Sequence, residues 1–470
     1  MSIYEKSKKT KYILSLLGKK RSAQTTITSR DEEEVELEQD EDEDLISDLQ
    51  YELLSEMTTK ELNLEQELFS QTIEAQRSTE QEIKTYFDKC LKDGAVPHLD
   101  RSKHANFLRF SLGQLPPAFK MLDHSQPWLY YWSTNCLALL GEEVSEDIKR
   151  KLISKLFTMM SSDGGIGGGP GQIGHVAAAY SGVLAFANIG TEEDWAKIDR
   201  KAMYQWLMAL KNEDGSFCMH IGGESDTRAV YCVLTIASTL NILTEELIEG
   251  TAEWIGRCQT YEGGIGASPF DEAHGGYTYC AMAGLLILGR DTFLKHINLE
   301  KLIHWIAERQ LPLEGGFSGR TNKLVDGCYS FWIGGLIPMF DVLLPEGQTT
   351  EVTSRAALMN YLLCACQDER MGGLRDKPGK MPDYYHTQYG LLGVIISQSK
   401  FSINEETLKK YSEVTPLDAF PYAFESTDID SSISQFDEVD RVGKVNPIFP
   451  VAEGVINKFK DYWLKKDGQL

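Results

Sequence analysis

The chain has 470 residues, 42% of them hydrophobic, and a formal net charge of -23. That length and apolar content suffice for a sizeable core, and the acidity argues against nucleic acid as the main partner. Nine cysteines, an odd number in mostly apolar surroundings, suit a reducing compartment such as the cytoplasm better than a disulfide framework.

Residues 1–50 read as a disordered tail, basic and then acidic. Its first twenty-one residues hold the bases Lys6, Lys8, Lys9, Lys11, Lys19, Lys20 and Arg21, and the apolar insert Tyr12 to Leu17 is too short for a signal segment or a membrane span. Asp31 to Asp44 holds 11 acids in 14 residues and no base, a pattern of solvated chain. No stretch elsewhere reaches about 18 uninterrupted apolar residues, so stable membrane insertion is not expected. Residues 51–122 read as helices with polar outer faces, punctuated by Pro116 and Pro117.

Residues 123–410 carry a repeat. Small-residue turns recur at Gly164-Gly165, Gly215-Ser216, Gly263-Gly264, Gly315-Gly316 and Gly372-Gly373, roughly fifty residues apart, a period that decides fold. Ten residues beyond the second small residue of each turn stand His175, Asp226, His274, Asp326 and Asp383. All are polar, and three are Asp, a favoured helix N-cap. Apolar stretches rich in small residues follow, most clearly Val176 to Ala187 and Tyr277 to Leu288, and helical stretches such as Leu302 to Gln310 precede the turns. Asp123 precedes a sixth such run, Trp128 to Leu140. Each repeat therefore reads as a helix pair. Buried inner helices favour closure into a ring over an open solenoid. The fold expected is all-α, an α-α toroid with six helix pairs in a double barrel. Closure would gather the polar offset residues at one mouth. Residues 411–470 read as a loop, Thr415 to Asn446, and a closing helix, Pro450 to Leu464.

The mouth could support chemistry. Asp326, Cys328 and His386 offer oxygen, sulfur and nitrogen, a three-ligand set for catalytic zinc with one position open. Singly, each has a plainer reading: an N-cap, a buried helix thiol and a hydrogen-bonded histidine. His274, Arg320, Lys323 and Tyr329 could cradle a diphosphate beside helix N-termini, or stand as solvated mouth residues. Arg228 could bind a second anion or pair with a nearby acid. Trp128, Trp132, Tyr180, Tyr231, Tyr277, Trp332 and Tyr385 fall on inner helices, where aromatic stripes form core or line an apolar pocket. Zinc, an anion cradle and a deep apolar pocket together suggest alkylation of a thiol by an isoprenoid diphosphate.

Five stretches carry a resemblance: Asp123-His124-Ser125-Gln126-Pro127-Trp128, Gly167 to Gln172, Asp271 to Tyr277, Leu313 to Trp332, and Leu374 to Gly379. Over about residues 110 to 400 the chain resembles the β subunits of protein farnesyltransferases. The resemblance implies an α-α toroid and one Zn2+ per β subunit, held by Asp326, Cys328 and His386. It implies farnesyl transfer from farnesyl diphosphate to the cysteine of C-terminal CaaX motifs. His274, Arg320, Lys323 and Tyr329 are implied as diphosphate contacts, and Asp376 as the carboxylate of Mg2+ assistance. Trp128, Trp132 and Tyr385, with Tyr231 and Trp332, are implied in the isoprenoid and peptide pocket, and Arg228 as a contact to that pocket or, through water, to the peptide end. An α subunit is implied as partner, without which this chain is expected to be poorly active. The rivals are a geranylgeranyltransferase β subunit, a non-catalytic α-toroid binding protein and, more distantly, a terpene cyclase.

Overall fold

The computed structural model describes residues 70–93, 95–344, 352–434 and 436–466. The charged tail and the helices read between Ile46 and residue 69 lie outside the described residues. Among the described residues no helix is long and apolar enough to cross a membrane.

Helix α1 (Gln71–Asp93) precedes six pairs, each an outer helix followed by an inner one. The first four are α2 (Arg101–Ser111) with α3 (Gln126–Leu139), α4 (Glu146–Phe157) with α5 (Val176–Ile189), α6 (Arg200–Ala209) with α7 (Thr227–Thr239), and α8 (Thr251–Arg257) with α9 (Gly275–Ile287). In the fifth, α10 (Leu299–Ala307) is followed by an interrupted inner helix: α11 (Tyr329–Trp332), a 3-10 turn at Gly334–Leu336, and α12 (Ile337–Leu343). In the sixth, α13 (Arg355–Asn360) runs into a π-helical turn, Tyr361–Cys366, before α14 (Tyr384–Gln398). The inner helices pack each on the next, and α14 packs back on α3, closing the ring. This is the six-fold α-α toroid expected from the repeat.

Residue type explains the two rings. Outer helix α4 alternates charged and apolar residues and buries only Leu152, Ile153 and Leu156, as an amphipathic surface helix does. Inner helix α5, Val-Ala-Ala-Ala-Tyr-Ser-Gly-Val-Leu-Ala-Phe-Ala-Asn-Ile, buries nearly every side chain. Its small residues let neighbouring backbones approach.

The turns set the spacing between pairs. Gly263 has φ +106°, and a Cβ there would stand 2.1 Å from the Lys301 carbonyl oxygen on α10. Gly372 has φ +74°, and a Cβ there would stand 2.3 Å from the Lys103 carbonyl oxygen on α2. The same approach to the next outer helix recurs at Gly164, Gly215 and Gly315. Gly372 is the member that brings the last pair onto the first.

Beyond the ring the predicted loop is more ordered than its composition implied. Strand β1 (Ser399–Ile403), helix α15 (Glu405–Val414), strand β2 (Phe424–Asp428) and helix α16 (Val455–Leu464) follow α14, with β1 and β2 antiparallel. Cross-strand pairing of Phe401 with Ser426 buries both residues, and that long-range pairing outweighs the Asp- and Ser-rich local sequence. A buried strap, Asn446–Val451, then crosses the ring. Asn446 fixes its bend by accepting bonds from Ile448 N (2.9 Å) and Phe449 N (3.0 Å). Buried Lys460 ties α16 to the ring, donating to Asp418 (2.8 Å) and to the Ser238 carbonyl on α7 (2.8 Å).

Gly372→Ala adds both a left-handed backbone and a clash, and is predicted to cost about 2–4 kcal/mol. Gly222 has the same φ, +74°, with nothing within 4 Å of an added Cβ. Gly222→Ala is then predicted to cost only about 1–2 kcal/mol. Thermal unfolding midpoints compare the two, and equal midpoints would contradict the packing role of the turn.

Candidate active site

Closure places the offset residues at one mouth. His175 and His274 cap their helices by accepting, at Nδ1, from Ala177 N (3.3 Å) and Gly276 N (3.1 Å). Asp226 accepts from Arg228 N (2.8 Å), and Asp383 from His386 N (2.7 Å). These carry the cap role that the repeat predicts. Asp326 differs: it accepts from Cys328 N (2.8 Å), and Cys328 stands at the cap position of α11. The fifth inner helix thus starts later and breaks early. A Cβ at Gly335 would meet the rings of Phe331 and Tyr279 at 3.1–3.2 Å, so the chain changes course where those aromatics crowd it.

The shift sends a carboxylate and a thiol to one point. The ligand atoms of Asp326, Cys328 and His386 all lie within 4.8 Å of one another. His386 Nε2 is 3.1 Å from Asp326 Oδ1, and its Nδ1 is 2.6 Å from Asp383 Oδ2. Burial opposes charge on His386, but the bonds to Asp326 and Asp383 prevail and raise its pKa to about 9. Burial alone would raise Asp326; the bond to His386 outweighs it and holds that carboxyl below its ordinary range. Burial, reinforced by the Asp326 charge, pushes the Cys328 thiol well up. Without a metal, protons balance this cluster. A divalent cation would replace them and favour the thiolate.

Gly327, between Asp326 and Cys328, is pinned from the last repeat. Its N–H donates to the Asp376 carbonyl (2.7 Å), which also accepts from Tyr361 OH (2.7 Å). A Cβ on Gly327 would stand 2.6 Å from the Arg375 carbonyl oxygen. Asp376 therefore holds the Asp326–Cys328 loop through its backbone, while its carboxylate pairs with Lys377. Burial and the Asp326 charge raise the pKa of that carboxyl.

Beside the cluster, Tyr329 OH meets His274 Nε2 at 2.9 Å. Arg320 pairs with Glu272, and Lys323 is exposed in the same loop. Arg228 pairs with Asp226 (2.6 Å), and its guanidinium lies 5.5 Å from the centre of the Tyr277 ring.

His274, Tyr329, Arg228 and Tyr277 line a cavity of about 530 Å³. Of the residues picked from sequence, Trp128, Trp132, His175, Tyr180, Arg228, Tyr231, His274, Tyr277, Tyr329, Trp332 and Tyr385 line it. Asp326, Cys328 and His386 adjoin it through Tyr385, whose ring stands 5.0 Å from that of His386 and whose hydroxyl bonds to Trp332 Nε1 (2.8 Å). Arg320, Lys323 and Asp376 are not among the lining residues. Sequence reasoning missed Tyr389, Cys232 and Cys280, which do line it. Tyr389 is one helical turn beyond Tyr385, and the two cysteines each stand six residues after an offset residue, so spacing held the signal. The role of Asp383 as the partner of His386 was also missed, the residue having been read only as a cap.

A model of the prenyltransferase alpha-alpha toroid domain matches residues 99–451. The protein farnesyltransferase subunit beta of Pyricularia oryzae is 42% identical, over 79% of this chain and 75% of that one. That of Saccharomyces cerevisiae is 44% identical, over 75% of this chain and 81% of its own. Among solved structures, Candida albicans protein geranylgeranyltransferase-I complexed with GGPP superposes with a TM-score of 0.60, at 18% identity, over 78% of this chain and 99% of that one; at that identity it speaks for the fold. With its closed toroid and these relatives, the chain belongs to the family of protein farnesyltransferase β subunits, and is a prenyltransferase.

Proposed function

We propose that the chain is the catalytic β subunit of a zinc-dependent protein farnesyltransferase, moving farnesyl from farnesyl diphosphate to the cysteine thiol of C-terminal CaaX motifs. The observation that carries this reading is one juxtaposition. Oxygen, sulfur and nitrogen ligands within 4.8 Å of one another adjoin, through Tyr385, an aromatic cavity that is also lined by the Tyr329–His274 pair. Asp326, Cys328 and His386 would hold Zn2+, their donor set suiting zinc with one position free for a substrate thiolate. Bound there, zinc supplies positive charge that keeps the peptide cysteine deprotonated at neutral pH.

The chain's own residues do the rest. Asp383 bonds His386 Nδ1 and so aims Nε2 at the metal position, the usual device for orienting a histidine ligand. The thiolate sulfur bonds to C1 of the isoprenoid as the C1–O bond to diphosphate breaks. Charge then grows on the leaving diphosphate. Tyr329 and His274 would donate to it, with Arg320 and Lys323 adding positive charge from the loop, an arrangement most effective where charge develops. The Asp376 carboxylate, paired with Lys377 and outside the cavity lining, would have to turn from that lysine to assist Mg2+ at the diphosphate. Trp128, Trp132, Tyr231, Trp332 and Tyr385 shape the apolar pocket and exclude water, and Arg228, which lines the same cavity, would contact the isoprenoid–peptide pocket or, through water, the peptide end. An α subunit completes the enzyme. A cytoplasmic setting fits nine cysteines that are all free.

Two outcomes follow. Metal analysis of the complex with its α subunit is predicted to find one zinc per β chain, and Cys328→Ala to lose that zinc and at least about a hundredfold of kcat/KM. A zinc-free wild type with full activity would contradict the site. Trp128, on the cavity wall, is predicted to shorten the channel and disfavour a twenty-carbon donor. Trp128→Thr should shift the ratio of kcat/KM toward geranylgeranyl diphosphate by about tenfold or more; an unchanged ratio would remove the wall argument and favour the geranylgeranyltransferase reading if the wild type already prefers that donor.

A further inference from the structure

The inner helices share an aromatic layer at one depth. Tyr180, Tyr231, Tyr279 and Phe331 each stand five residues after an offset polar residue, Tyr389 stands six after Asp383, and α3 contributes Tyr131. All six are 3% exposed or less. Their rings run round the barrel with centroids 6.1, 5.4, 5.7, 4.6 and 5.6 Å apart, from Tyr131 through Tyr180, Tyr231, Tyr279 and Phe331 to Tyr389. Gln388 Nε2 completes the circuit, donating to Tyr131 OH at 3.4 Å. The cavity stops at this layer. On no inner helix do its lining residues pass more than one position beyond it; Trp132, Cys232, Cys280 and Trp332 are the deepest.

Beneath the layer runs the strap Asn446–Val451, and the tyrosines hang from it. Tyr279 OH donates to the Pro447 carbonyl, Tyr231 OH to that of Ile448 and Tyr131 OH to that of Pro450, each at 2.7 Å. Tyr180 OH joins through Tyr231 OH at 3.3 Å. These carbonyls are buried; that of Pro450 also accepts from Asn135 Nδ2 (3.0 Å) and Gln388 Nε2 (3.4 Å), and that of Ile448 from Tyr279 OH (3.4 Å), so the bonds hold the rings in place as a network. A strap from the chain's last segment thus fixes rings on three separate inner helices.

We propose that the Asn446–Val451 strap, acting through these hydroxyls, sets the depth of the isoprenoid cavity and so helps to set the chain length of the donor. Tyr279 is a positioning residue here, since it touches the strap and the Tyr231 ring but does not line the cavity. The inference rests on the farnesyltransferase reading and adds a floor to it, distinct from the Trp128 wall. Five further carbons must find room at the Trp128 wall or where the layer now stands. A layer freed from the strap would yield to them, and a clamped one would not.

The test uses the complex with its α subunit, a CaaX peptide, and the fifteen- and twenty-carbon isoprenyl diphosphates in competition. Tyr279→Phe keeps the ring and removes the bond. It is predicted to lower the preference for the fifteen-carbon donor about three- to tenfold, the scale of one neutral hydrogen bond, through a lower KM for the longer donor. Ser238→Ala removes a comparable buried bond, to Tyr422 OH at 2.8 Å, away from the cavity, and is predicted to leave the ratio as it was. If Tyr279→Phe does not assemble, Tyr231→Phe carries the same expected shift in ratio. An unchanged ratio in the strap variant, or an equal shift in Ser238→Ala, overturns the inference while the wild type still transfers farnesyl. A wild-type complex that transfers neither donor overturns the functional reading, and this inference with it.

Discussion

The whole arrangement depends on a close contact between a glycine turn and the backbone of the next outer helix. At Gly263 and Gly372 no side chain fits, because the carbonyl of Lys301 or Lys103 occupies the place of the Cβ. Each turn therefore acts as a spacer of fixed thickness. Five equal spacers accumulate a rotation, and the fifth lands on the first outer helix. A wider spacer at any turn would open the ring into a solenoid, scattering the inner-helix N-termini instead of gathering them.

Gathering is what makes chemistry available. Asp326 and His386 are sixty residues apart in sequence and 3.1 Å apart in space. The site uses departures from the repeat as much as the repeat itself. In four repeats the offset residue is a helix cap; in the fifth the helix start is delayed, so Asp326 and Cys328 face one point. Gly327 lets the loop press against Arg375 and Asp376 in the sixth. The energetic consequence is a cluster of mutually dependent charges. His386 is held protonated by two carboxylates, Asp326 is held ionised by His386, and Cys328 is discouraged from ionising by burial and by Asp326. A cation at the centre resolves all three at once, which a purely structural cluster has no need to do.

Much of this was legible in the sequence because the repeat is marked by residues with strict backbone requirements. The glycine turns and the ten-residue offset predicted the ring, its inner helices and the mouth. Asp326, Cys328 and His386 could be placed together because each stands at or just after an offset position. What was not legible depended on contacts across repeats. The backbone role of Asp376 requires knowing that its carbonyl reaches Gly327. The pairing of β1 with β2 joins segments about twenty residues apart, and β2 lies in the Asp- and Ser-rich stretch that reads locally as loop. The aromatic layer was present as a spacing, yet its meaning depends on the strap, whose proline-rich sequence carries no sign of where its carbonyls point. Cys232 and Cys280 looked like core because they sit in apolar runs; only the cavity distinguishes them from the other buried thiols.

The measurement that bears most directly on the account is prenyl transfer to a CaaX peptide by this chain in complex with its α subunit, with farnesyl and geranylgeranyl diphosphate in competition, before and after chelation. The account predicts farnesyl transfer that disappears with the metal and returns with added zinc. Transfer that survives complete removal of zinc, or none from a folded and zinc-loaded complex, would contradict it.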